Sequence, residues 1–481
     1  ALTNAGRTIE AAQAYLLAAG EVKERLKILK LKQSAAEQLL RGGHVEEGLS
    51  VLGDVLAQTG MYLPQKTWQS LVWLLFGQLQ LWWRGIKFKE RNISEIAPEE
   101  IVKIDICWSA ATGLTMVDAI RGTDFQVRHL NYALKVGEPY RLARAFAWEI
   151  TFASTNPRET KRLQTFSKLA ENLVNKIDNP HAQGLYLLMS GMANFFQGKW
   201  AKAYELTKKA GKILRERCTA VNWEIYTAEV FLFRTLFQLG ELAEILERVN
   251  LIVKEAQSCG DLYAETSLRT RASYLYYLIL DKPEEASNEL TEAMEKWSQT
   301  GFHAQHYYSF VAYCEIALYY GDGEKAWELI KENWAKLKHS LMMRVQFILI
   351  EACYLFTRVI ISLALKTDKK EYFLSKALKF IKRLEKEKIS YSQAYSLIGR
   401  AALASFTTDN DSVITYLAEA ENKFAESKML LHVATTQYVR GKLTGLEGAE
   451  LISKAEQTMK EQKIENINAF VQMMLPGKWK K

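Results

Sequence analysis

"FFQGKWAKAYELTKKA" (residues 195–210) decides the fold, because its plan returns along the chain. An apolar helix ends in a glycine turn, a charged residue or two follows, and a second helix starts near a small residue. The same plan reads in "LFQLGELAEILERVNLI" (236–252), "LILDKPEEASNELTEA" (278–293) and "LYYGDGEKAWELIKEN" (318–333). The turns at Gly198, Gly240, Asp281 and Gly323 lie 42, 41 and 42 residues apart. Weaker copies fall around Lys366–Lys370 and Asp409–Asp411, and a short last one is "LTGLEGAELISKAEQ" (443–457). Self-similarity at such a spacing is the mark of stacked helical units that bury their apolar faces on one another.

The second helix of each copy carries a finer signal. Ala203/Thr207/Ala210, Ala286/Leu290/Ala293, Ala326/Ile330/Asn333 and Gly448/Ile452/Ala455 recur at spacings of 4 and 7, which place each triplet on one helix face. A small residue there lets the two helices of a hairpin approach closely. The pattern resembles the tetratricopeptide (TPR) repeat, lengthened from its usual 34 residues to about 41. It predicts an all-α fold: a TPR-like, right-handed superhelix (an α-solenoid) of helical hairpins, with concave grooves lined by the first helix of each pair. The copy at 34–60 turns at Gly42–Gly43 and has the triplet Gly48/Leu52/Val55. Residues 1–20 read as the back half of a repeat. "NAGR" (4–7) is its turn and Ala11/Tyr15/Ala18 its triplet, so Leu2 and Tyr15 are expected to be partly exposed or covered from outside the chain.

Four segments follow. Residues 1–60 hold hairpins, 61–156 a Trp- and Arg-rich helical block, 157–475 the regular array and 476–481 a basic tail. The block contains a Trp-rich helix at 68–83, the basic linker "RGIKFKERN" (84–92), and helices near 100–120, 124–136 and from 137 to 154. "APEE" (97–100) suits a helix start, with Pro98 in the first turn and acids after it.

Composition agrees with long helices. The 481 residues include only 7 prolines, where average usage would give roughly 24. Net charge is +8 and disperse, and the basic run 379–388 is interrupted by Glu385 and Glu387, as in a solvated helix face. Nucleic acid is therefore an unlikely partner. The cysteines Cys107, Cys218, Cys259, Cys314 and Cys353 are unpaired in spacing and read as reduced thiols of a cytoplasmic protein. Two apolar stretches, 71–83 and 347–366, are interrupted by Gln78 and Gln80 and by Glu351 and Arg358. Both are read as helices packed on two sides, with no membrane contact. The alternative for the first is an interfacial helix at 71–89, with Trp82, Trp83, Arg84, Lys87 and Lys89 at one end.

Two clusters are the candidate ligand or partner sites. "DAIRGTDFQVRHL" and "GEPYRLAR" (118–144) gather Arg121, Arg128, Arg141 and Arg144. Facing helices could assemble these into an anion-binding groove, or pair them with Asp124, Glu138 and Glu149. "GFHAQHYY" (301–308) places His303 and His306 at i, i+3 beside Tyr307. A shared metal would need a third or fourth ligand, and packing and capping is the plainer reading.

Residues 84–149, together with 214–228, 260–273, 294–308 and 474–481, resemble the C-terminal region of very large bacterial serine/threonine protein kinases that also carry a STAND-type AAA ATPase domain. The resemblance implies a kinase and an ATPase upstream, with ATP and magnesium confined to those domains and no cofactor or catalytic residue here. The sequence has no HRD or DFG triplet and no GxxxxGK[ST] loop. The expected role is a non-catalytic interaction or sensor scaffold that takes a protein or peptide in its concave groove and contacts the upstream domains. The alternative is a target-recognition arm, for nucleic acid or a foreign protein, of a STAND-type defence NTPase.

Overall fold

The computed structural model describes residues 1–115, 118–407 and 409–479; of the basic tail, Lys480 and Lys481 lie outside the described residues. Every regular element among the described residues is a helix. The chain is built of helical pairs stacked side by side, as an α-solenoid requires.

The N-terminal part consists of helices Thr8–Glu21, Arg25–Arg41, Val45–Gln58, Thr67–Arg84, Pro98–Thr115 and Ala119–Val136. The array continues with first helices starting at Pro139, Pro180, Asn222, Leu262, Ala304, Gln346, Ser390 and Leu430. Between them run second helices such as Trp200–Arg217, Leu242–Cys259, Pro283–Lys296 and Gly323–His339. The starts are encoded locally. Asp118, Glu138, Asn179, Asp261, Asp322 and Asp409 each accept a backbone N–H of the first turn, and a proline follows Glu138 and Asn179.

The small-residue triplets sit where the spacing puts them. Gly48, Leu52, Val55, Ala203, Thr207, Ala210, Ala286, Leu290, Ala293, Ala326 and Ile330 are all buried. Asn333 and Ile452 are half-buried. In the first helix the face turns slightly. Ala11, Ala12 and Ala19 are buried, Tyr15 and Leu2 are half-buried, and Ala18 is exposed. The reason is that this helix packs on Arg25–Arg41 through its alanines, with Ala12 meeting Ala35 and Leu39.

The first helices do not line an open concave groove, as the sequence reading expects. They meet one another. Gln238 accepts a hydrogen bond from Tyr395 Oη at 3.4 Å, Arg234 pairs with Glu351 at 2.7 Å, and Arg358 donates to the carbonyl of Met473 at 3.1 Å. Tyr354 Oη donates to the carbonyl of Met474 at 2.6 Å, and the backbone N–H of Glu465 to that of Ile279 at 3.0 Å. The array is wound so tightly that its inner surface has become core. Gly240 shows how close the approach is: its φ is +86°, and a Cβ there would lie 2.6 Å from the backbone nitrogen of Leu431.

The two apolar stretches part company. Helix Gln346–Ala364 is, among the described residues, the one long and apolar enough to cross a membrane, and 83% of it is buried inside the fold. Helix Thr67–Arg84 is not packed on two sides. Ser70, Gly77 and Leu81 are buried, while Trp68, Val72, Leu75, Phe76, Leu79, Trp82 and Trp83 face outward. Among the described residues its main support is helix Ala119–Val136, with Arg162 of helix Thr160–Lys176 also donating to Gln78 at 3.3 Å, and its outward face is uncovered.

Candidate functional site

The four arginines of residues 118–144 divide between two places. Arg121 lies beside Asp118 and donates to the carbonyl of Gln65 at 2.8 Å. Arg128 grips Asp124 with two bonds of 2.8 and 2.6 Å, donates to the carbonyl of Tyr62 at 3.0 Å, and stacks over Trp73. Burial pushes the Asp124 carboxyl up to about 6 in spite of that grip. On the next helix, Pro139–Ser154, the second pair turns to a different acid. Arg141 binds Asp105 at 3.0 and 2.5 Å and Glu138 at 3.0 Å, and Arg144 reaches Asp105 at 2.5 Å. Burial opposes the charge of Asp105, but Arg144 and Arg141 outweigh it and hold the carboxyl below its usual range. Glu149 pairs with Arg162 instead. The four arginines therefore form no single anion groove; Arg121 and Arg128 pair with acids of their own helix or its cap, and Arg141 and Arg144 reach Asp105 on another helix.

His303 and His306 serve the start of helix Ala304–Tyr319. Trp297 Nε1 donates to His303 Nδ1 at 3.1 Å, and the backbone N–H of His303 donates to His306 Nδ1 at 3.0 Å. Burial lowers both imidazoles, His306 to about 4 with help from neighbouring His303. Among the described residues no group of three or more His, Cys, Asp or Glu is placed to hold a metal ion. Tyr307 points inward and donates to Glu351 at 2.9 Å.

That glutamate belongs to a network which sequence reasoning missed. Arg234 and Arg271 both bind Glu351, and Arg358 binds Glu315 at 2.8 Å, with Tyr274 Oη donating to Glu315 at 2.7 Å. Burial works against the Glu351 charge, but Arg271 and Arg234 prevail and its carboxyl stays below the ordinary range. Arg271 sits in a π-helical turn, Arg269–Ser273, which interrupts the helix begun at Leu262. The central cavity beside this network holds about 20 Å³, room for a single water. It is core and not a binding site. The available signal was a lone charge inside an apolar run, as in "FLFRTLF" (231–237) and "LFTRVII" (355–361).

Of the clefts that open to solvent among the described residues, two bear on the candidate sites. One, of about 370 Å³, lies where the N-terminal helices meet the array, and Arg144 is the single predicted residue that reaches it. Arg41 spans Glu37 at 3.0 Å and Glu224 at 3.4 Å, and Tyr140 Oη and His181 Nδ1 share a hydrogen bond of 2.8 Å. Burial opposes the charge of Glu224, yet Arg41, then His181, bring its carboxyl down to about 2. Arg41, Glu37, Glu224, Tyr140 and His181 on its wall are thus already engaged with one another.

The other cleft is the largest, about 730 Å³, between the ends of the later helices and residues 468–479. Lys366, Lys370, Lys442 and Lys478 line it against one acid, Glu371. Its aromatic wall comes from Tyr320, Phe406, Tyr438 and Trp479. Lys442 lies 4.2 Å over the Tyr438 ring, and Asn468 Oδ1 accepts from both Tyr438 Oη at 2.8 Å and Lys442 at 3.2 Å. None of these residues was among the sequence candidates, because they come from five separate stretches. No family model matches the chain, and no curated protein matches it.

Proposed function

We propose that this chain is a non-catalytic recognition scaffold that binds a protein partner by an acidic, aromatic-containing segment laid in the 730 Å³ cleft. The observation that carries the reading is the lining: four lysines facing one glutamate, beside an aromatic wall. Such a cleft attracts negative charge and offers apolar area for side chains between the charges. Recognition thus moves from the filled inner surface to this outer cleft. The likeness to kinase C-terminal regions fits the same reading: the scaffold would present a captured partner to a kinase and an ATPase on the same polypeptide, in the cytoplasm.

The test is fluorescence polarisation with a labelled peptide of alternating glutamate and tyrosine, measured on the full chain. Saturable binding that Lys366→Glu/Lys442→Glu weakens at least about tenfold supports the reading. Equal binding by this variant refutes it. Stronger binding of single-stranded DNA, falling steeply with salt, would favour a nucleic-acid arm instead.

A further inference from the structure

Helix Thr67–Arg84 is the most exposed apolar surface of the molecule. Trp68, Val72, Leu75, Phe76, Leu79, Trp82 and Trp83 are between 55% and 88% exposed, and helical spacing puts all seven on one stripe. The stripe lies opposite Gly77, whose carbonyl accepts from Asn131 Nδ2 at 3.1 Å and where a Cβ would lie 2.7 Å from Val127 Cγ1. Arg128 stacks over Trp73 and Arg84 donates to the carbonyl of Leu134 at 3.2 Å. The helix is thus fixed to the body along one edge and presents the other outward. Over its 18 residues, about 27 Å, a contiguous apolar strip of this size marks an interaction surface.

Three features of the strip select its occupant. Tryptophans stand at both ends, Trp68 at one and Trp82 and Trp83 at the other, with Val72, Leu75, Phe76 and Leu79 between them on the stripe and the less exposed Trp73 at its edge. Tryptophan favours the boundary between hydrocarbon and headgroups. Basic residues flank both ends, Lys66 before the helix and Arg84, Lys87 and Lys89 after it; the three lysines are exposed. No acid occurs from residue 55 to residue 89, and the first beyond, Glu90, is paired with Lys176 at 2.5 Å. A second copy of this strip would bring cations against cations with no acid to answer them. An anionic lipid surface answers them all.

We infer that helix Thr67–Arg84 docks the protein on an anionic lipid surface, lying in the interface with Leu75, Phe76, Leu79, Trp82 and Trp83 in the acyl boundary and Lys66, Lys87 and Lys89 among the headgroups. The body of the protein stays outside the bilayer, because the helix is held parallel to its supporting helix and not free to insert. This replaces the expectation of no membrane contact.

Co-sedimentation of the full chain with vesicles tests this. Phosphatidylcholine vesicles containing phosphatidylglycerol should retain the protein, with a blue shift of its tryptophan emission, and vesicles of phosphatidylcholine alone should retain about tenfold less or weaker still. Trp82→Ser/Trp83→Ser and Lys87→Glu/Lys89→Glu should each reduce retention by about tenfold or more while leaving the circular dichroism spectrum unchanged. Absence of binding to the anionic vesicles, or binding that both double variants leave intact, overturns the inference. So does a self-associating chain that fails to bind vesicles and becomes monomeric in the tryptophan variant, which would assign the strip to a second copy.

Discussion

Helices Thr67–Arg84 and Gln346–Ala364 look alike in sequence and have opposite fates. The first carries no charge before its last residue, and most of its large apolar side chains face outward. The second carries Glu351 and Arg358 in its middle and is almost wholly buried. By their charges alone the burials would be assigned the other way round, although the second helix is the more apolar of the two. The difference lies in neighbours. Arg234, Arg271 and Glu315 arrive from three other helices to neutralise the two buried charges, whereas among the described residues no helix covers the outward face of Thr67–Arg84. A buried charge is tolerable when its partner is brought by the fold, and an apolar helix is buried only if the fold supplies a second wall.

The comparison breaks most sharply at the centre. Glu351→Ala strands the guanidinium groups of Arg234 and Arg271 in the core and should cost about 3–5 kcal/mol in urea unfolding. A loss below about 1 kcal/mol would mean that water reaches the network and that the inner surface is open after all. Leu355→Ala, on the same helix at 0% exposure, should cost about 2–5 kcal/mol by loss of burial and the cavity left behind.

Acid probes the junction of the N-terminal helices with the array. Glu224 has its carboxyl held at about 2, below its ordinary 4.5, so its contribution is present above pH 4.5 and is lost as pH falls from there toward 2. Stability should drop by about 2–3 kcal/mol over that window, and Glu224→Gln should flatten the drop. An unchanged acid limb in the variant would place the acid sensitivity elsewhere. Gly240→Ala should cost about 1–3 kcal/mol, since it combines a positive φ with the close approach to Leu431. The smallest effect belongs to the exposed helix: Leu79→Ala should change stability by no more than about 0.5 kcal/mol. A cost near that of Leu355→Ala would show that the strip is covered in the free protein.

Much of the architecture was legible residue by residue. Ala203, Ala286 and Ala326 announced hairpins because close helix packing demands a small side chain at a fixed register. Pro98 announced a helix start because the N–H groups of a first turn have no partner within the helix and proline lacks one, whereas the start at Asp118 falls inside the helix expected near 100–120 and was seen only in the structure. The candidate sites were legible only as residue types. Arg141 and Arg144 were expected to seek anions or acids, and their acid proved to be Asp105, which no local pattern joins to them. His303 and His306 were correctly suspected of capping, since both lie within one helical turn.

Local chemistry in the sequence by itself determined that the chain is all-helical, where its hairpins turn and which faces of the second helices are buried, because those properties depend on neighbours within a few residues. Tertiary structure alone decided that the inner surface closes around Arg234, Glu351 and Arg358, that the lysine cleft opens at the far end, and that the Trp-rich helix keeps one face bare. Each of these depends on how many turns of the array come to meet, a sum over the small rotations between successive helices that no single repeat records.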